Sequence, residues 1–101
     1  MHRDIKLSNI LRTKDDKIVL ADLGCSVKAK KATSRTGSVG YFAPEILQGT
    51  YTHKVDIFSC GIVLIIMLTL KNPFASWAGE SFDKIRQRNM IGKIHYDASE
   101  W

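Results

Sequence analysis

The stretch between Asp56 and Lys71 constrains this chain most. It holds Ile57, Phe58, Cys60, Ile62, Val63, Leu64, Ile65, Ile66, Met67, Leu68 and Leu70, with hardly a polar position among them. As a helix it runs about 14 residues, or ~21 Å. A bilayer core needs ~30 Å, so a membrane span is disfavoured and no membrane partner is expected. Apolar residues all round a helix imply burial within protein, which predicts a core helix over Val55 to Leu70. Asn72-Pro73 stops it.

Around that helix, 101 residues that are 45% hydrophobic and 25% charged make at most one small globular domain with a modest core. The remaining elements are short. Ile10-Leu11 and Ile18-Val19-Leu20 are β-prone and flank the polar Lys14-Asp15-Asp16-Lys17, which predicts a small hairpin. Cys25 to Gly40 has no periodicity and reads as a loop long enough to be functional. Ala43 to Leu47 predicts a short helix with Pro44 in its first turn, ended by Gly49. After a loop with Phe74 and Trp77, Glu80 to Ile91 carries Phe82, Ile85, Met90 and Ile91 and predicts an irregular amphipathic helix closed by Gly92. Lys93 to Trp101 reads as extended loop. The fold class is mainly α with a small β-hairpin.

A net charge of +5 raises nucleic acid as a partner. The cations are dispersed, at Lys14, Lys17, Lys28, Lys30, Lys31, Arg86 and Arg88, and form no stripe interleaved with aromatics, so solvated charge is the better reading. Cys25 and Cys60 have no C-x-x-C spacing and no His at metal-ligand spacing; Cys60 reads as a small core residue. A reduced, intracellular (cytoplasmic) setting fits, and no signal peptide marks the region near Met1.

The chemistry is concentrated in His2-Arg3-Asp4-Ile5-Lys6-Leu7-Ser8-Asn9. An acid, a lysine and an asparagine within six positions suit a hydroxyl nucleophile, a phosphate and a metal ion. Asp4 can accept or orient a hydroxyl proton. Lys6 offers a flexible cation for a phosphoryl group. Asn9 and Asp22, brought to one end of the hairpin, are hard oxygen ligands suited to Mg²⁺. Taken singly, each is as well explained as a surface turn residue; the spaced set is not.

Four segments occur in an order that resembles the protein kinases. His2 to Asn9 resembles the catalytic loop H-R-D-L-x-x-x-N, with Ile5 for Leu. Asp22-Leu23-Gly24 resembles D-F-G with Leu for Phe, Ala43-Pro44-Glu45 is the A-P-E motif, and Asp56-Ile57-Phe58-Ser59-Cys60-Gly61 resembles D-x-W-S-x-G. The resemblance covers essentially the whole chain and implies the C-terminal large lobe of a eukaryotic-type serine/threonine kinase, partial over residues 1–101. It implies Asp4 and Lys6 as catalytic residues, and Lys6, Asn9, Leu11 and Asp22 at ATP and its phosphates, with Asn9 and Asp22 on Mg²⁺. Lys6 two residues after Asp4 is the serine/threonine pattern, which implies a protein substrate with a Ser or Thr acceptor. Ser38 falls where the family has a Thr able to bridge Asp4 and Lys6. Val39 stands where many relatives have Pro, leaving peptide specificity open, and Cys25 gives no bias between Ser and Thr acceptors.

The same resemblance pairs Arg3 with an activation-loop phosphate, with Ser34 as first candidate and Thr33 as second. His2 and Leu23 are implied in a hydrophobic spine anchored by Asp56, and Glu45 pairs in the family with an Arg that falls beyond Trp101. Asp56-Ile57-Phe58-Ser59 and Lys71 to Trp101 look most like calcium- and calcium/calmodulin-dependent kinases, although no calcium-binding loop is present. The glycine-rich phosphate loop and the V-A-I-K lysine belong to a small N-terminal lobe that residues 1–101 do not include. The isolated chain is therefore expected to be poorly soluble and inactive, completed by the small lobe or by a partner kinase. The rival reading is a truncated or pseudokinase-like product that acts by protein binding.

Overall fold

A computed structural model describes residues 1–75 and 79–94. Trp77 and the segment from residue 95 to Trp101 lie outside them. The hairpin forms as expected: β1 (Ile10–Arg12) pairs antiparallel with β2 (Ile18–Leu20), with Ile10 opposite Leu20 and Arg12 opposite Ile18. A single 3-10 turn, Leu7–Asn9, leads into β1. The Ala21 amide donates to the Asn9 carbonyl at 2.8 Å and extends the ladder by one step, so that Asn9 and Asp22 emerge at the same end.

The segment from Cys25 to Gly40 is irregular, but one isolated bridge ties it down. Ala32 and Tyr51 exchange backbone hydrogen bonds at 2.9 and 3.0 Å. The predicted helix at Ala43 is a 3-10 turn, Pro44–Ile46, instead of an α-helix. Pro44 occupies its first position, where its missing N–H costs nothing. The short turn is held by packing: Ala43 and Ile46 join Phe42, Tyr51 and Val55 in the core cluster, all 5% exposed or less. Burying each large side chain contributes about 1.5–3 kcal/mol.

The helix α1 (Lys54–Thr69) and its boundaries follow the sequence. It ends on Leu70, whose φ of 59° is left-handed, before Asn72-Pro73 is reached. Its burial corrects the sequence reading. Only Val55, Ser59, Ile62 and Val63 are buried, at spacings that place them on one face. Ile57, Leu64, Met67 and Leu68 are exposed, and Cys60 is exposed rather than a core residue. Periodicity cannot say which side of a uniformly apolar helix is covered; neighbours decide that. No helix among the described residues is long and apolar enough to cross a membrane.

The helix α2 (Phe82–Ile91) ends on Gly92 in a left-handed conformation at φ 65°. Any Cβ at Gly92 would sit 2.6 Å from Pro44 Cγ, so glycine lets the end of α2 pack on the Pro44–Ile46 turn. The amphipathic reading of α2 fails. Phe82 and Ile91 are more than 70% exposed, whereas Asn89 is fully buried. A hydrogen-bonding polar residue seats this helix in place of an apolar stripe. Glu80 meets Arg88 in an ion pair, and Arg88 Nη1 also donates to the Phe74 carbonyl at 3.0 Å. Phe74, fully buried, stacks on Phe58 of α1 with ring centroids 6.2 Å apart.

Asp56, in the first turn of α1, accepts the His2 amide on Oδ2 and the Arg3 amide on Oδ1, both at 2.7 Å. Replacing it leaves two amides without their charged acceptor, and such bonds contribute about 1.5–3 kcal/mol each. Asp56→Ala is therefore expected to destabilise a protein carrying this chain by about 2–4 kcal/mol. An unchanged midpoint on urea unfolding counts against this account of the anchor.

Candidate functional site

The site begins with backbone geometry. Arg3 adopts a left-handed φ of 68°, which costs a non-glycine residue roughly 1–3 kcal/mol. The two hydrogen bonds to Asp56 hold that conformation and turn the next residue, Asp4, inward. The His2 ring completes the bend. Its Nδ1 accepts from the Asp4 amide at 3.2 Å, which leaves Nε2 to donate to the Ala21 carbonyl at 3.0 Å. This is the neutral tautomer protonated on Nε2. His2 therefore works as a buried polar link between the loop and the hairpin end. Leu23 is 69% exposed, so the expected buried pairing of His2 with Leu23 is not present in this structure.

Asp4 is 9% exposed and is the hub of the cluster. Ser38 Oγ donates to Asp4 Oδ1 at 2.6 Å, and Lys6 Nζ donates to Ser38 Oγ at 2.7 Å while standing 3.3 Å from Asp4 Oδ2. Asn9 Nδ2 donates to the Asp4 carbonyl at 2.9 Å and to Oδ2 at 3.3 Å. Burial pushes the Asp4 carboxyl up, but the hydrogen bonds from Ser38, Lys6 and Asn9 and the Lys6 charge outweigh it and hold the group below the ordinary carboxylate value. Near neutral pH, Asp4 is an anion that accepts and orients.

Asn9 and Asp22 are the side chains that could offer oxygen to a metal ion. Both Asp4 atoms facing the Asn9 amide group are acceptors, which fixes its NH₂ toward them and points Oδ1 away. Asp22 is exposed, has a left-handed φ of 61°, and spends Oδ1 on the Gly24 amide at 3.0 Å, keeping Oδ2 open. An amide oxygen and a carboxylate oxygen at one hairpin end fit Mg²⁺, which takes one or two protein oxygens and completes its shell from phosphates and water. No cluster of three or more His, Cys, Asp or Glu forms among the described residues, so a metal held by protein groups alone does not fit there. Leu11, on the adjoining strand, is half exposed.

The polar loop closes over the other side of Arg3. Arg3 Nη1 donates to Ser34 Oγ at 2.7 Å and to Tyr51 Oη at 3.1 Å, and Nε donates to the Cys25 carbonyl. Tyr51 Oη in turn donates to the Ser34 carbonyl. Thr33 is exposed, and no hydrogen bond joins it to Arg3. Gly37 (φ 109°) lies against the Arg3 carbonyl, 2.7 Å from where a Cβ would be, so the loop comes this close only with glycine. Glu45 is half-buried, and no hydrogen bond or ion pair of its carboxylate is found among the described residues.

Sequence reasoning missed four residues that hold the site. Tyr51 braces Arg3 against Ser34. Asn89 accepts the Gly40 amide at 2.8 Å and donates to the Phe42 carbonyl. Asn72 donates to the Gly40 carbonyl at 3.3 Å, and Ser59 Oγ donates to the Tyr41 carbonyl at 2.8 Å. Asn72 gave a signal only as the residue before Pro73. Ser59 gave one only as a position of the Asp56–Gly61 segment, and Tyr51 and Asn89 gave none, because a lone polar residue in a helix or turn looks the same whether or not it clamps a distant backbone.

A family model described as protein kinase domain matches residues 1–101. Among curated proteins, the chain is 38% identical over 104 residues to serine/threonine-protein kinase PEPKR2 of Arabidopsis thaliana, covering 100% of this chain and 22% of that protein. It is 39% identical over 108 residues to calcium-dependent protein kinase 27 of the same plant, covering 100% of this chain and 21% of that one. Against calcium-dependent protein kinase 4 of Plasmodium falciparum (isolate 3D7) it is 36% identical over 108 residues, covering 100% and 20%. The chain thus spans about a fifth of the length of these relatives.

The lowered Asp4 value fixes a pH dependence. Its folded pKa lies below its unfolded one, so the contribution is fully present above the unfolded value near 4 and is lost as pH falls through the folded value. The stability advantage of the wild type over Asp4→Asn should therefore hold steady above about pH 5 and shrink as the pH falls from about 5 to 3. Urea midpoints that keep a constant difference over that range would contradict the assignment.

Proposed function

The chain belongs to the protein kinase family, and on that premise we propose that it supplies the large-lobe part of a serine/threonine kinase site that transfers the γ-phosphate of ATP to a protein hydroxyl. The observation that carries the reading is the closed set Asp4, Lys6 and Ser38, with every link at 3.3 Å or less. Phosphoryl transfer asks chiefly for positioning and for neutralising charge on the transferred group.

Each residue has a task in that scheme. Asp4, an anion held from three sides, accepts the hydrogen bond of the incoming Ser or Thr hydroxyl and aims its oxygen. With its pKa held low, Asp4 contributes orientation more than basicity, and takes the proton late. Lys6 stands beside it to meet charge on the phosphoryl oxygens. Ser38 keeps Asp4 and Lys6 in register and brings the loop that borders the peptide. Asn9 Oδ1 and Asp22 Oδ2 are the groups that would hold Mg²⁺, which neutralises the nucleotide phosphates when bound. Leu11 offers an apolar surface under the base.

Arg3 and Ser34 support regulation by phosphorylation. A phosphate on Ser34 would add acceptor oxygens beside a guanidinium already 2.7 Å from its Oγ, strengthening the existing contact. The exposed outer face of the hairpin and the exposed apolar side of α1 support a further reading, that residues 1–101 need a covering small lobe or partner for transfer. The names of the relatives support a calcium-dependent subgroup.

In the full protein that carries this chain, Asp4→Asn and Lys6→Ala are expected to lower kcat for phosphate transfer to a Ser peptide about 10²–10⁴-fold, with far smaller changes in peptide KM. Asp22→Asn should raise the Mg²⁺ concentration needed for half-maximal rate. Full activity in the Asp4→Asn protein would overturn the reading. A phosphopeptide map of the active protein should show modification within Thr33 to Thr36, and an unmodified, fully active loop would remove the regulatory part.

A further inference from the structure

Beside the hydroxyl site lies a cavity of about 270 Å³ lined by Arg35, Thr36, Gly37, Val39, Phe42, Leu47 and Arg86. Its volume is below the ~300–1,000 Å³ of pockets that enclose a whole small molecule, and suits one or two side chains. Val39, Phe42 and Leu47 make an apolar wall, while Arg35 and Arg86 bring two positive charges from different elements. Neither guanidinium has a hydrogen bond or ion pair among the described residues, and no acidic residue lines the cavity. Asp83, three positions before Arg86 on α2 and so on its side of the helix, forms no ion pair with it among those residues. An unbalanced pair of guanidiniums against a hydrophobic wall favours an anionic group on a short aliphatic stem.

The position of Arg86 is built in. Asn89 fixes α2 to the loop through the Gly40 amide and the Phe42 carbonyl. Arg86, one turn earlier, shares that side of the helix and is carried to the loop from Arg35 to Val39. That loop also contains Ser38, whose hydroxyl is 2.6 Å from Asp4. Gly37 and Val39, on either side of Ser38, both line the cavity. A peptide hydroxyl presented to Asp4 therefore has its neighbouring residue beside Arg35 and Arg86.

We propose that Arg35 and Arg86 make this cavity a selectivity pocket for an anionic side chain, a carboxylate or a phosphorylated residue, next to the acceptor hydroxyl of the substrate. This rests on the kinase reading above and adds the class of substrate that reading leaves open.

The test uses the full protein and peptides with one Ser acceptor whose neighbours are all Ala, Glu, phosphoserine or Lys. Transfer is read as kcat/KM, and binding of the same fluorescein-labelled peptides is read separately by anisotropy. The Glu and phosphoserine peptides should exceed the Ala peptide roughly tenfold in both, and the Lys peptide should fall below it. A phosphoserine peptide well ahead of Glu assigns the pocket to substrates already phosphorylated nearby; equal values assign it to acidic sequences. Arg86→Glu should invert the order of the Glu and Lys peptides, a reversal that loss of folding cannot mimic. Equal binding of all four peptides, or an unchanged order in Arg86→Glu, overturns the proposal. Failure of transfer with the binding order intact would instead count against the kinase reading alone.

Discussion

One carboxylate holds this structure to its chemistry. Asp56 projects from the first turn of α1, where the helix dipole favours negative charge, and accepts the amides of His2 and Arg3. Those amides belong to a backbone that enters the left-handed region at Arg3. Two charge-assisted hydrogen bonds are enough to offset the cost of that bend. With the bend in place, the His2 ring locks against Ala21, Asp4 faces inward, and the hairpin end that carries Asn9 and Asp22 is fixed to the same frame. The most apolar element thus serves the most polar one: α1 is a rigid post, and its N-terminal acid is the fastening.

The electrostatics of the site come from a contest that hydrogen bonding wins. Burial alone would neutralise Asp4. Three donors, one of them the Lys6 cation, keep it charged instead. The same donors set its direction, so charge and geometry are secured by one network. Ser38 is the link that joins Asp4 and Lys6 to the polar loop. That loop is pinned twice more, by Tyr51 at Ser34 and by Asn89 and Asn72 at Gly40. A segment without regular structure is thereby held to within hydrogen-bond distances of Asp4 and Lys6.

Much of this was legible in the chain. The hairpin follows from β-branched runs around a charged turn, and α1 follows from the apolar run after Asp56, although it ends on left-handed Leu70 before Asn72-Pro73 is reached. The spacing also singled out Asp4, Lys6 and Asn9, which the structure joins by hydrogen bonds and an ion pair. The covered side of α1 was not legible, since a helix apolar on every face carries no directional signal; Cys60 was misjudged for the same reason. Asn89 was missed because its partners, Gly40 and Phe42, lie far away along the chain and offer only backbone groups.

The sequence alone determined the elements, their ends and the residue types available for chemistry, because these depend on neighbours within a few positions. Only the tertiary structure decided which of those residues meet. It placed Ser38 between Asp4 and Lys6, and it set Arg3 against Ser34 and Tyr51. Each of these contacts joins groups distant along the chain, and each depends on where α1 and α2 pack against a loop that has no pattern of its own.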